Sequence, residues 1–336
     1  MTEYYYPWQD IQWRSLVERR LQDTLPHALL LHGPGGTGKA DFAAHFAHSL
    51  LCQQNGAGGL PCGGCSSCLL YAVDNHPDNH LIKPEKEGGP IKIDQIRALI
   101  ADIGLSSHSG GDKVVIVRPA EAMTTAAANS LLKTLEEPPP KTLIMLLAEQ
   151  LTRLPATVRS RCQRVPFNLP DNALAETWLT EKLIEKAANP DDAPRLLAMT
   201  HGAPLNALAG VEKDQLAHRQ SLFEMLAGLA EGRLDPLKVA GKWLKIEQPV
   251  PIKYLHDWVS DMIRLRQVPG YFEKRAEYKK VLQLLSGDLE VQKLYIYLDR
   301  IAESRQLMTQ LNPLPIIESL LIQWANIPKQ KASTQG

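Results

Sequence analysis

An apolar run, Ala28-Leu-Leu-Leu31, is followed almost at once by Gly33-Pro-Gly-Gly-Thr-Gly-Lys-Ala40. A buried strand that feeds a glycine-rich turn and then a helix suits few folds, because the turn must gather backbone N–H groups around one point. In a working phosphate-binding loop these amides cradle phosphate groups. The lysine reaches the β and γ phosphates, and a Ser or Thr after it ligates magnesium. Gly33, Gly35, Gly36, Thr37, Gly38 and Lys39 supply the cradle and the cation here and form the candidate nucleotide site. Ala40 has no side-chain oxygen, so one metal ligand is missing.

The first half of the chain sustains a strand–helix alternation. His27–Leu31 reads as a strand, with a helix after the loop to about Leu51. His80–Lys83 reads as a short strand. Ile96, Leu99, Ile100 and Ile103 follow at helical spacing, with Asp94 as N-cap. Lys113–Val117 and Thr142–Leu147 are buried strands, and between them Ala126–Glu136 is a helix stopped by Pro138-Pro-Pro140. Near-continuous apolar strands alternating with helices predict an α/β fold with a parallel sheet covered on both faces.

After about Asn168 the pattern is helical only. Leu255, Trp258, Val259, Met262 and Ile263 mark one apolar face. Val291, Leu294, Tyr295 and Leu298 mark a second, and Ile316, Leu320, Leu321 and Trp324 a third. Pro170 and Gly210 punctuate the chain, dividing it into 1–167, 168–210 and 211–330, with 331–336 as a tail.

The second magnesium ligand of a phosphate-loop enzyme is an Asp that ends a later buried strand. The best such strand, Val114–Val117, ends in Arg118-Pro119, a cation and an imino acid. Glu121 lies three residues beyond Arg118 and reads as a solvated helix-cap or loop residue. With both protein ligands gone, autonomous hydrolysis is not expected. Nucleotide binding without turnover stays open, since the cradle and Lys39 remain.

Lys+Arg and Asp+Glu number 37 each, which argues against a free-standing nucleic-acid binder held by a large basic field. The locally basic Lys274–Lys280 reads as a solvated helix face. No secretory signal is visible, and no apolar run approaches the roughly 18–20 residues of a membrane span. The expectation is a soluble, cytoplasmic protein with no membrane partner.

Four of the five cysteines, Cys52, Cys62, Cys65 and Cys68, fall within seventeen residues. Without a secretory signal such spacing favours a metal over disulfides. Four thiolates make a closed tetrahedral site for structural Zn²⁺ with no open position for catalysis. An iron–sulfur cluster is the alternative. Cys162 reads as a small buried residue, and His76 and His80 as loop or core histidines.

Asn129-Ser-Leu-Leu-Lys-Thr-Leu-Glu-Glu-Pro-Pro139, Ser160-Arg-Cys162 and Tyr6-Pro-Trp8 together resemble the clamp-loader branch of the AAA+ ATPases, in its bacterial DNA polymerase III form. The motifs cover about residues 4–210. The helical remainder is similar in size and class, with Asn312–Glu318 as a family-like lead-in to the last helix. The resemblance implies an AAA+ parallel-sheet domain carrying a zinc module at about 52–68, a small helical lid and a helical collar. It implies a hetero-pentamer with motor subunits and a clamp-opening delta subunit, acting on a sliding clamp and primed DNA. It also favours zinc at the cysteines. Arg161 matches the arginine that this branch projects into a neighbour's ATP site, and Arg159 stands close by. At Ala148-Glu149-Gln150 active members carry a small polar sensor, and at Leu205 an arginine. The combination fits a non-hydrolysing stator with no ATPase activity of its own. An active motor ATPase of the same branch and a zinc-dependent nucleic-acid binding protein are the competing readings.

Overall fold

The computed structural model describes residues 5–86, 88–105, 107, 111–212, 215–246, 250–268, 282, 289–308 and 311–327. The chain divides into two compact units, Met1–Ala209 and Gly210–Gly336.

The first unit is built on β1 (Ala28–His32), β2 (Asn79–Ile82), β3 (Lys113–Val117), β4 (Thr142–Ala148) and β5 (Gln163–Pro166). All pairings are parallel, in the order β2-β3-β4-β1-β5, so the strand before the phosphate loop is flanked on both sides. Alternate side chains go to opposite faces, as the pleat requires. Leu29, Leu31, Met145 and Val114 pack with Trp13, Phe42 and Phe46 from α1 (Asp10–Leu21) and α2 (Lys39–Leu51). Leu30, Ile144, Val115 and Val117 pack with Ile96, Leu99, Leu131 and Leu135 on the other side. Those residues come from α4 (Ile93–Gly104) and α5 (Thr125–Glu136), while α3 (Ser66–Ala72) follows the cysteine loop. Two cored faces explain why these strands read as continuous apolar runs.

Two elements differ from expectation. The β5 strand was not foreseen: in Gln163-Arg-Val-Pro166 only Val165 is buried, because an edge strand presents one side to the core. The helix α4 starts before Asp94, with Lys92 at its N-cap, where the Lys92 amide donates to Gln95 Oε1 at 3.0 Å. Asp94 lies inside the first turn, where its charge favours the helix dipole. At the other end of α4 the buried Lys113 donates to the carbonyls of Ile103 and Leu105.

The one-turn α6 (Ala156–Arg159) precedes β5, and beyond β5 the first unit continues with α7 (Asn172–Glu185) and α8 (Ala193–Met199). The helix α9 (Pro204–Glu212) carries the chain into the second unit. There α10 (Gln215–Ala230), α11 (Pro236–Trp243), α12 (Val250–Gln267), α13 (Val291–Leu307) and α14 (Pro313–Ala325) are the described helices. Leu255, Trp258, Val259, Met262 and Ile263 are buried as predicted. On α13 the buried face is Leu294, Tyr297 and Ile301, and Tyr295 is exposed with its hydroxyl donating to Gln267. On α14 Ile317, not Ile316, joins Leu320, Leu321 and Trp324 in the core. In both cases the apolar neighbours are contiguous in sequence, so spacing alone left the face ambiguous by one residue. Tyr297 donates to Leu320 O at 2.8 Å, and Trp324 Nε1 to Leu226 O at 3.0 Å. Lys274–Lys280 and residues 331–336 lie outside the described residues.

Candidate functional site

The phosphate loop runs from β1 to α2 and is held tightly on all sides. A side chain at Gly33 would place its Cβ 1.9 Å from Phe167 O, and one at Gly38 2.4 Å from the Tyr6 ring, so both positions require glycine. The Thr37 carbonyl accepts from Trp8 Nε1 at 3.0 Å and from Gln9 Nε2 at 2.9 Å. Thr37 Oγ1 donates to Pro34 O at 2.9 Å, and the Leu205 amide donates to Gly36 O at 3.2 Å. Tyr6-Pro-Trp8 is therefore a brace on the loop. Its aromatic rings also meet Trp178 edge-on.

Lys39 is buried, and its ammonium is turned onto the loop itself, donating to Gly33 O at 2.8 Å and Pro34 O at 2.7 Å. Burial lowers its pKa, against the opposing pull of Glu149 and Glu121. The Glu149 carboxylate stands so close to Gly35 that a Cβ there would lie 2.7 Å from Oε1. An anion thus faces the cradle that would receive a phosphate.

Glu121 is not a solvated loop residue. A turn at Ala120–Ala122 folds it inward, and its Oε1 accepts from the amides of Glu149 at 2.9 Å and Gln150 at 3.2 Å, tying it to the end of β4. A local sequence window does not register that pairing, which joins residues 28 and 29 positions apart. The cleft beside the loop measures about 1350 Å³ and is lined by Lys39, Lys83, Arg118 and Arg153, and equally by Asp41, Glu85, Glu121 and Glu149. Four cations against four carboxylates make no net anion trap. The position after Lys39 is alanine, and Arg118-Pro119 follows β3.

Arg161 follows α6, on the segment leading to β5. Its Nε donates to Glu136 Oε1 at 2.7 Å, its Nη2 reaches the same oxygen, and its Nη1 donates to Thr157 O at 2.9 Å. Its side chain is one-third exposed, at 33%. Arg159, two residues earlier, has its Nε buried without a hydrogen-bond partner.

The structure brings Cys52, Cys62, Cys65 and Cys68 together, with their sulfur atoms all within 4.8 Å of one another. Cys52 and Cys65 Sγ are 4.0 Å apart, and Cys62 and Cys68 Sγ 3.8 Å. A tetrahedron with metal–sulfur bonds of about 2.3 Å has edges of about 3.8 Å, so the four atoms fit such an ion. Amides of Gln54 and Cys62 point at Cys52 Sγ, that of Cys65 at Cys62 Sγ, and that of Cys68 at Cys65 Sγ. Donation from Gly64 and Cys65 lowers the Cys62 pKa. Burial pushes Cys65 up, but the amides of Cys68 and Gln53, together with hydrogen bonds from the Cys68 and Cys62 thiols, outweigh it and bring it to about 6. Burial raises Cys68 to about 12. Cys162 is buried away from this cluster. His76 is buried and bonded to Ser67 Oγ at 2.6 Å, and His80 is half-buried on β2.

The first unit thus presents a glycine-rich loop after β1, an interior strand of a five-stranded parallel sheet, with a four-thiol cluster behind the helix that follows it. The family model described as DNA polymerase III, delta subunit, matches residues 8–171, and the one described as its C terminal matches 213–326. The DNA polymerase III subunit delta′ of Pseudomonas aeruginosa is 35% identical over 336 residues, covering 96% of this chain and 98% of that protein. The subunit of the same name from Escherichia coli K12 is 35% identical over 223 residues, 66% of each chain. The chain belongs to the delta-prime family of DNA polymerase III subunits. Among solved structures, a gamma subunit-related protein from Thermotoga maritima aligns over 95% of this chain and 99% of its own, at 20% identity and a TM-score of 0.46. No described helix is long and apolar enough to cross a membrane.

Proposed function

We propose that this chain is a non-hydrolysing stator of the bacterial replicative clamp loader. One observation carries the reading. The phosphate loop keeps its backbone cradle, yet Ala40 follows the lysine, Arg118-Pro119 follows β3, and Lys39 is engaged by the loop's own carbonyls. A site with neither protein ligand for magnesium lacks the electrostatic machinery of phosphoryl transfer. In this reading residues 168–210 form a lid and 211–330 the collar that joins motor subunits and a delta subunit. The assembly works in the cytoplasm, opening a sliding clamp and placing it on primed DNA.

Arg161 supplies the chemistry this chain contributes. An always-charged planar fork suits a γ-phosphate in a neighbouring subunit's site, where fingers of this kind are worth about 10³–10⁵ in rate. Its partial exposure supports that role, and Glu136 and Thr157 hold its guanidinium in place meanwhile. The four cysteines hold structural Zn²⁺, which ties the loop after α2 to α3 and takes no part in turnover. Nucleotide at Lys39, if bound, is not hydrolysed. Reconstitution of the loader tests the whole: the isolated chain shows no ATP turnover, and the assembled loader needs this chain for full clamp- and DNA-stimulated turnover. Turnover by the isolated chain would restore the active-motor reading.

A further inference from the structure

The last four carbonyls of a helix have no partner within it and must find one elsewhere. At the end of α2, directly before Cys52, all four are taken. His48 O accepts from the Cys52 amide at 3.0 Å, and Leu51 O from Ser67 Oγ at 2.5 Å. The two between them go to a single side chain on another helix: Arg20 Nη1 donates to Ser49 O at 2.9 Å, and Nη2 to Leu50 O at 3.1 Å. Arg20 Nη1 also reaches Ser49 Oγ at 3.3 Å.

The same helix, α1, holds the loop that separates Cys52 from Cys62. Trp13 Nε1 donates to Gly58 O at 3.1 Å, Ser49 Oγ donates to Gly59 O, and a Cβ at Gly59 would lie 2.8 Å from the Val17 side chain. The Arg20 side chain is largely shielded, at 24% exposure, with Asp112 4.0 Å away.

We propose that Arg20 is a positioning residue of the four-cysteine metal site. It closes the final turn of α2 so that Cys52 presents its sulfur to the other three. The inference rests on reading the cluster as a zinc site. Lysine in its place keeps the charge but lacks the planar fork that reaches two successive carbonyls.

The test uses the full chain, its Arg20→Met and Arg20→Lys variants, and Zn²⁺ itself. Zinc affinity is measured by competition with a chromophoric chelator, and melting temperature before and after zinc is stripped. Loss of an outer-shell partner typically weakens metal binding about 10–100-fold. Arg20→Met is expected to fall in that range and Arg20→Lys to lose less, with the gap between loaded and stripped melting temperatures narrowing in step. Should Arg20→Met fail to fold, Arg20→Lys carries the same comparison with a smaller loss expected. Equal zinc affinity in variant and wild type, with loaded and stripped forms destabilised alike, would overturn the inference and leave Arg20 a structural cap. A wild-type chain that binds no zinc would overturn the metal reading itself, and this inference with it.

Discussion

Arg161 and Glu136 are joined by two N–H donors on one carboxylate oxygen, with Nε at 2.7 Å from Oε1. The pair links the segment before β5 to the end of α5, so the two motifs Ser160-Arg-Cys162 and Leu135-Glu-Glu-Pro138 meet in space. With side chains 33% and 49% exposed, the pair is screened, and exposed ion pairs are worth about 0–1 kcal/mol. Glu136→Gln should therefore barely move the melting temperature of the isolated chain. It should lower stimulated ATPase of the loader by less than loss of the arginine does, since Thr157 O still holds Nη1. Stimulated turnover identical to wild type would deny Glu136 any part in orienting the guanidinium.

Glu149 faces the phosphate cradle at Gly35. Replacing it by alanine removes a like charge from the path of a phosphate. Glu149→Ala should tighten binding of a fluorescent ATP analogue by about tenfold, or roughly 1.4 kcal/mol, without creating turnover. Adding Lys39→Ala should reverse the gain. Unaltered affinity in Glu149→Ala would mean that the carboxylate does not guard the loop.

Chelation of the metal should lower the melting temperature, and Cys62→Ser or Cys65→Ser should bind zinc weakly and melt close to the stripped wild type. Metal content and calorimetry check this together. A chain that melts at the same temperature with and without chelator has no structural zinc.

Gly33 has no room for a side chain against Phe167 O, so Gly33→Ala should destabilise the first unit by about 3 kcal/mol or more, read by urea denaturation. In the second unit, Tyr297→Phe removes a buried donation to Leu320 O, a carbonyl that stays within the α14 ladder, and should cost about 0.5–1.5 kcal/mol. A neutral result at either position would contradict the packing described for it.

Strand and helix alternation in the first half was legible because every central strand is cored on both faces, leaving long apolar runs. The β5 strand was not, because an edge strand offers only Val165 to the core. The four-thiol cluster could be read from spacing alone, since two-residue gaps constrain where sulfur atoms can go. The inward turn of Glu121, the approach of Glu149 to Gly35 and the reach of Arg20 to Ser49 and Leu50 could not. Each joins residues about 28 to 114 positions apart through packing that no local pattern encodes.

In the proposed role this chain acts on ATP held by a neighbour. Its most direct measurement is clamp- and DNA-stimulated ATPase of the reconstituted loader with Arg161 intact and with Arg161→Ala, after confirming that the variant assembles. A fall in turnover at the neighbouring site of about 10³-fold or more is the expected result. Full turnover with Arg161→Ala would contradict the claim and leave this subunit a scaffold.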